Sequence, residues 1–419
     1  MQKIPPLFRT TKEFIIAILF LSLIFLTRLF FIYQDYNILT PNKPHYTDAK
    51  IINIYKAKRG SILKVKTQKD ITLYFKTYYK LQRYNWIRLR FYFKKRPSFF
   101  KYIRGFFVVG KIVTIYSSST NNPKIELKEQ IYKQHKNKKI ASFYAAIFLA
   151  QPIDKNLREQ IANLGISHLV AISGFHLGII WVLIYGLSYL IYRPLQQKFF
   201  PWRNRVVDLG FISLMALFIF TLFIGSPPSV IRSFSMLFVG WLAYLLGVEF
   251  LSFKFLLFSA TLVLAIFPKL FLSYGFILSF SGVFYIFLLL KYFQNKNRWL
   301  LNLFIIPFGV FVLMFPISHY FFGNFSPWQL LSPIISILFT PFYPLALLLH
   351  LFGCGSFFDK YLIYLFNLNK EHIYYFYTNI SILLTFLAIS IISIKKRLLF
   401  LFLIYFAISI NLYALFSNI

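Results

Sequence analysis

The chain has 419 residues, of which 58% are apolar and 21% aromatic, and a formal net charge of +34. This composition excludes a soluble globular domain and a disordered chain, and points to a polytopic α-helical membrane protein. A lone cysteine, Cys354, excludes any intramolecular disulfide.

Residues 1–12 carry Lys3, Arg9 and Lys12 ahead of an apolar run from Phe14 to Tyr33. No small-residue cleavage site follows, so residues 1–33 read as a cytoplasmic tail and a retained signal anchor. Residues 34–139 are then expected on the extracytoplasmic side. Between Gln34 and Ile140 there are 25 Lys and Arg against 5 Asp and Glu. A basic domain of this kind attracts polyanions, either nucleic acid or anionic lipid. Runs near 49–57, 62–67, 71–76, 86–94 and 106–116 predict five short strands, a number that suits a small OB-fold-like barrel. In the fourth run Ile87, Leu89, Phe91 and Phe93 share one face, and Trp86, Arg88, Arg90, Tyr92 and Lys94 share the other. Rings alternating with cations suit a single-stranded nucleic acid, whose bases stack and whose phosphates pair. The same alternation also fits an ordinary solvated strand face.

Residues 140–419 form the membrane domain. The run 140–150 is too short to span and is expected at the interface or as a re-entrant segment. Spans are predicted near 169–192, 206–224, 229–248, 252–267, 270–290, 299–316, 373–394 and 398–416. Arg193, Lys198, Arg203 and Arg205, between the spans near 169–192 and 206–224, and the loop Lys291–Arg298 suit the cytoplasmic side. Segment 328–349 contains Pro333, Pro341 and Pro344 and reads as a broken, re-entrant element, giving nine crossings and an external C-terminus.

Four blocks in this domain carry candidate chemistry. His168, Ser173, Gly174, His176 and Gly178 stand at the head of a span, with the two glycines at the spacing that admits a neighbouring helix. Ser226, Pro227 and Pro228 open another span, with Arg232 one turn in, an arrangement suited to anions. Ser279 lies in Leu272–Gly282, and His319 precedes Gly323, Asn324 and Ser326. The histidines show neither metal-ligand spacing nor a carboxylate partner, and no nucleophile elbow surrounds Ser173, so no metal, cofactor or hydrolytic activity is expected. For each of these polar groups, satisfaction by neighbouring helices competes with a channel or gate role.

The run LGISHLVAISGFHLGII, with the Gly225–Met236, Leu272–Gly282 and Pro316–Ser326 blocks in the same order, resembles the ComEC competence-protein family. Ile277 and Ser273 depart from that family's glutamine and aspartate. The resemblance implies an inner-membrane channel taking up single-stranded DNA in natural transformation, with the basic outer domain capturing DNA. It also implies an outer-face DNA receptor and cytoplasmic DNA-handling proteins as partners, beside membrane lipids. Many relatives carry a metallo-β-lactamase-like domain whose motif is missing here, so a separate nuclease is expected. A small-molecule permease and a membrane enzyme acting on anionic lipid or cell-wall precursors remain the alternatives.

Overall fold

The computed structural model describes residues 5–417 except 58, 80, 82, 84, 117–122, 250 and 369–373. The chain divides into two compact units, one made of Lys12–Pro123 with Thr261–Ser273, the other of Met1–Thr11, Lys124–Ala260 and Tyr274–Ile419.

The first unit begins with helix α1 (Thr11–Ile38) and continues as β1 (His45–Lys56), β2 (Ser61–Thr67), β3 (Thr72–Thr77), β4 (Trp86–Tyr92), α2 (Phe99–Arg104), β5 (Phe106–Phe107) and β6 (Val109–Ile115). The strands form one sheet in the order β5-β3-β2-β1-β4-β6. At one end β5 pairs parallel with β3, and at the other β6 pairs antiparallel with β4. Only Val108 separates β5 from β6, so one residue joins the two ends of the sheet and curls it into a half-barrel. Val108 N–H donates to the Tyr74 carbonyl at 2.8 Å, which continues the β5 pairing. The predicted fifth strand is therefore split at this residue.

Period-two patterning fixes which side chains enter the half-barrel. Leu63, Val65, Leu73, Phe75, Ile87 and Leu89 are wholly buried. Each such side chain contributes about 1.5–3 kcal/mol on burial. Tyr102 of α2 and the flanks of Ile32 and Tyr36 on α1 complete this core.

The second unit contains α3 (Pro123–Lys133), α4 (Lys138–Leu149), α5 (Lys155–Asn163), α6 (Ser167–Val170), α7 (Gly174–Phe199), α8 (Arg205–Phe223) and α9 (Pro228–Leu245). Helix α10 (Phe253–Ile266) bridges the two sets of residues, and α11 (Tyr274–Phe293) follows. Next come α12 (Arg298–Leu300), which runs through a π-turn into α13 (Ile306–Phe321), then β7 (Asn324–Phe325) and α14 (Ser332–Leu351). The chain closes with α15 (Asp359–Asn367), β8 (Tyr374–Tyr375), α16 (Ile380–Ser393) and α17 (Arg397–Phe416).

Among the described residues, seven helices are long and apolar enough to cross a membrane, and three shorter apolar helices accompany them. The chain is thus a multi-pass helical membrane protein with a small β half-barrel.

Segment 140–150 is a helix whose ten residues from Ile140 to Leu149 are all buried in protein. Ala141, Ser142, Ala145 and Ala146 leave room for neighbours to pack on every side of α4, which is why so short a helix sits at the centre of a core. Segment 328–349 is not broken at its inner prolines, contrary to the expectation from its sequence. Helix α14 runs unbroken through Pro341 and Pro344 and belongs to a stretch, Pro327–Leu351, long enough to span. Proline removes one N–H and crowds the carbonyl four residues back. Ser336 Oγ donates to the Ser332 carbonyl at 2.7 Å and Thr340 Oγ to the Ser336 carbonyl at 3.3 Å, ahead of the Ile337 and Thr340 carbonyls that the two prolines leave without a donor.

Candidate functional site

The His168 block forms a short loop against the start of α14. Gly165 turns the chain at φ +68°, a left-handed conformation that favours glycine. A Cβ there would stand 3.2 Å from Ser332 and 3.3 Å from Gln329, so the close approach also requires glycine. The Gly165 carbonyl accepts from Ser332 Oγ at 3.0 Å and lies 3.1 Å from His168 Nδ1. His168 Nε2 is 3.2 Å from Ser336 Oγ, and the imidazole keeps an exposed face. Gln329 adds a further tie by donating to the Ala162 carbonyl at 3.2 Å.

The predicted span does not run through this block. Helix α6 stops at Val170 and α7 begins at Gly174, leaving Ala171–Ser173 non-helical. Ser173 N–H donates to His176 Nδ1 at 3.2 Å, which closes the first turn of α7 in the manner of a capping box. That bond makes Nδ1 the acceptor and leaves the proton on Nε2. His176 is completely buried, with its ring edge-on to Tyr343 at 4.7 Å and near Phe339 at 5.5 Å. In this structure it therefore fastens α7 to α14 and lines no open passage. Gly174 faces Ser233 of α9, whose Oγ lies 3.4 Å from a Cβ built on it. Gly178 has no atom within 4 Å of such a Cβ, so the close helix approach expected at both glycines occurs only at Gly174.

The second block packs beside the first. Gly225 and Ser226 both have positive φ, at +90° and +50°, and Ser226 N–H donates to the Thr221 carbonyl at 2.9 Å to end α8. The Pro227 carbonyl accepts from Val230 N–H at 2.9 Å and Ile231 N–H at 3.1 Å. With Pro228 lacking a donor, this N-terminus presents fewer open N–H groups than the anion cradle expected from the sequence. Arg232 is only 6% exposed, its Nε has no hydrogen-bond partner, and among the described residues no carboxylate pairs with it. A desolvated, unpaired guanidinium costs several kcal/mol and is stabilised by an anionic partner.

Lys124 was not singled out by sequence. Its Nζ donates to the Ile224 carbonyl at 2.6 Å, and the side chain is buried at the C-terminal end of α8, where the helix dipole favours a cation.

His168 thus meets the start of α14, His176 packs on Phe339 and Tyr343 further along it, and Gly174 meets Ser233 beside the second block. Ser279 and His319 belong elsewhere. Ser279 sits half-buried within α11. His319 is buried against Phe315 at 3.8 Å, and its Nδ1 lies 3.1 Å from the Phe315 carbonyl, beside the β7–β8 pair.

A further cluster unites residues that no sequence pattern links. His135 Nδ1 lies 2.9 and 3.0 Å from the Asp359 carboxylate oxygens, and His135 Nε2 is 3.0 Å from His350 Nε2.

In the half-barrel, the outward face of β4 carries Trp86, Arg88, Arg90 and Tyr92, with Lys94 exposed just beyond it. Tyr46 of β1 pairs with Arg90, whose guanidinium lies 5.9 Å from the Tyr46 ring centroid. Lys111 of β6 stands opposite Arg90, and Lys50 of β1 opposite Trp86. Asp48, opposite Arg88, accepts from the Tyr116 hydroxyl at 3.0 Å and is the acidic residue on this part of the face. A ribbon of rings and cations across three strands results.

The competence protein family matches residues 150–418, well over half of the chain. The chain belongs to the competence protein family. It is 30% identical over 213 residues, half of this chain and 46% of the other, to an uncharacterized protein of Aquifex aeolicus (strain VF5). Over 260 residues it is 25% identical to Recombination protein 2 of Haemophilus influenzae (strain ATCC 51907 / DSM 11121 / KW20 / Rd), which covers 57% of this chain and 32% of that protein. The chain therefore spans less than half the length of these relatives. No solved structure matches it. The loop at Gly165–Ser173, the Pro227–Arg232 helix start and the head of α14 all fall inside the family's matched region.

Proposed function

We propose that this competence-family chain passes a single strand of DNA through a bacterial inner membrane during natural transformation, and that its β half-barrel captures the DNA. Family membership over residues 150–418 is the observation that carries this reading. In it the half-barrel is an OB-like barrel on the extracytoplasmic face, the N-terminus is cytoplasmic, and the chain is a conduit and not an enzyme. A separate nuclease degrades the strand that stays outside.

The physical requirements are specific. Each nucleotide brings a charge that hydrocarbon will not accept, so the path must be hydrated and supplied with hydrogen-bond donors. The exposed edge of His168 is a polar group with little fixed charge. Arg232, desolvated beside Ser233, is the cation a phosphate would meet nearest the Gly174 contact. A dense row of cations would hold the strand. One arginine among neutral groups lets it move on. At the half-barrel, Trp86 and Tyr92 stack bases while Arg88, Arg90 and Lys94 neutralise phosphates.

Deleting the gene and measuring transformation, with uptake of small solutes assayed in parallel, tests the reading. Loss of transformation with solute uptake intact is expected. Normal transformation with impaired uptake of one solute would point to a permease instead.

A further inference from the structure

The contacts of His135 and His350 fix where their protons must be. His350 Nδ1 lies 2.6 Å from the Ala346 carbonyl, an atom that only accepts, so Nδ1 carries the proton. His135 Nδ1 faces the Asp359 carboxylate. If Asp359 is ionised, Nδ1 of His135 is likewise the donor, and both neutral rings then turn a bare Nε2 lone pair toward the other. Those atoms are 3.0 Å apart, with the ring centroids 5.1 Å apart, so the rings point nearly head-on. Two facing acceptors at hydrogen-bond distance repel. One added proton between them removes the conflict, whether it resides on a ring or shifts along the chain to the carboxyl group.

Charge balance favours that proton. Without it the Asp359–His135–His350 chain carries one net negative charge, and His135 is buried with Asp359 only partly exposed. With it the group is neutral overall, which a low-dielectric interior tolerates far better. The surroundings favour the imidazolium as well. Tyr144 stacks on His135 at 4.7 Å and 11°, presenting the negative face of its ring, and lies 4.4 Å from His350. Tyr144 and Asp359 are the titratable groups that flank the pair, from α4 and from the start of α15. Two imidazoles on one tetrahedral zinc stand about 3.3 Å apart and bent, at Zn–N of about 2.0–2.1 Å. Among the described residues no group of three His, Cys, Asp or Glu side chains converges to complete such a cage.

We propose that His135, His350 and Asp359 form a proton-binding site whose bound proton clamps the C-terminal end of α14 to α15 and to the segment entering α4. Gln134 reinforces the same junction, donating to the His350 carbonyl at 3.1 Å and accepting from Gly355 N–H at 2.9 Å. The clamp tightens as pH falls and loosens as pH rises. This inference stands independently of DNA transport.

The test is the thermal midpoint of the full chain in detergent between pH 5 and 9, for wild type and His350→Gln. The glutamine amide places a neutral N–H near the position of Nε2, so it satisfies His135 without a proton. A wild-type midpoint that falls by about 2–4 °C with rising pH, with the slope abolished in His350→Gln, is the expected result. Equal slopes in the two proteins would overturn the proposal. So would a wild-type midpoint that drops on adding a chelator and recovers with zinc, which identifies a metal as the occupant. Should the variant fail to fold, histidine ¹⁵N spectra of the wild type decide. One N–H···N bond between the two Nε2 atoms at pH 6 supports the site, and two unprotonated Nε2 atoms there refute it.

Discussion

Replacing Arg88 and Arg90 together by glutamine separates the two ways the half-barrel is proposed to hold DNA. Both side chains point outward from β4, between the buried Ile87, Leu89 and Phe91, so their removal leaves the core in place. Successive outward positions on an antiparallel strand are about 6.8 Å apart, which lets each arginine reach a different phosphate. A protein contact to one phosphate of a single strand contributes about 0.7 to the slope of log affinity against log salt. Loss of two contacts therefore lowers the slope by about 1.4, so between about 50 and 200 mM salt the variant loses about 7-fold less affinity than wild type does. Trp86→Ala or Tyr92→Ala should act differently. Each ring is about 40% exposed, and losing a stacked base costs about 1–3 kcal/mol at every salt concentration, with the slope unchanged. Fluorescence anisotropy of a labelled oligothymidylate with the full chain in detergent reads both quantities. An unchanged slope in the double arginine variant would remove this face as the phosphate-binding surface.

Further substitutions probe the membrane unit and its neighbours. Gly165→Ala places a Cβ in a left-handed backbone against Ser332 and Gln329, and should lower stability by about 1–2 kcal/mol in a thermal melt. An unaffected melt would mean that the loop does not bear on α14. Lys124→Met keeps the apolar stem but removes the bond to the Ile224 carbonyl, costing about 1.5–3 kcal/mol. His168→Ala, at an exposed position, should reduce entry of labelled DNA while leaving the melt within experimental error of wild type. His176→Ala, inside the aromatic packing, should instead lower the melting midpoint.

For Asp70, partial burial raises the carboxyl pKa, but bonds and charges from Lys66 and Lys269 outweigh it and hold the pKa below the ordinary value. Its contribution is present above the ordinary carboxylate range and is lost as pH falls below it, and Asp70→Asn should flatten that acid limb.

The strands were legible because alternation is local: once Ile87, Leu89 and Phe91 face inward, Trp86, Arg88, Arg90 and Tyr92 have no other side to occupy. The joining of β5 and β6 was harder to read, since one residue at Val108 shifts pairing from β3 to β4. Apolar runs located the helices, but composition could not distinguish a helix facing lipid from one enclosed by protein, as α4 demonstrates. Proline counts misled at α14, which continues through Pro341 and Pro344 despite the two backbone bonds they remove. The His135–Asp359–His350 chain had no signature at all. Its members are 215 and 224 residues apart, and only tertiary packing brings them together. His176 was found for its position in a motif, but its burial beneath Tyr343 and Phe339 depended on a helix more than 160 residues downstream.

A photo-crosslinking residue placed at 168 or 174 in cells importing labelled DNA would test the proposed route most directly, with Leu398, 79% exposed on α17, as the control site. Adducts to single-stranded DNA at 168 and 174, and none at 398, are predicted. DNA import at the normal rate with no adduct at either of the first two positions would contradict the account.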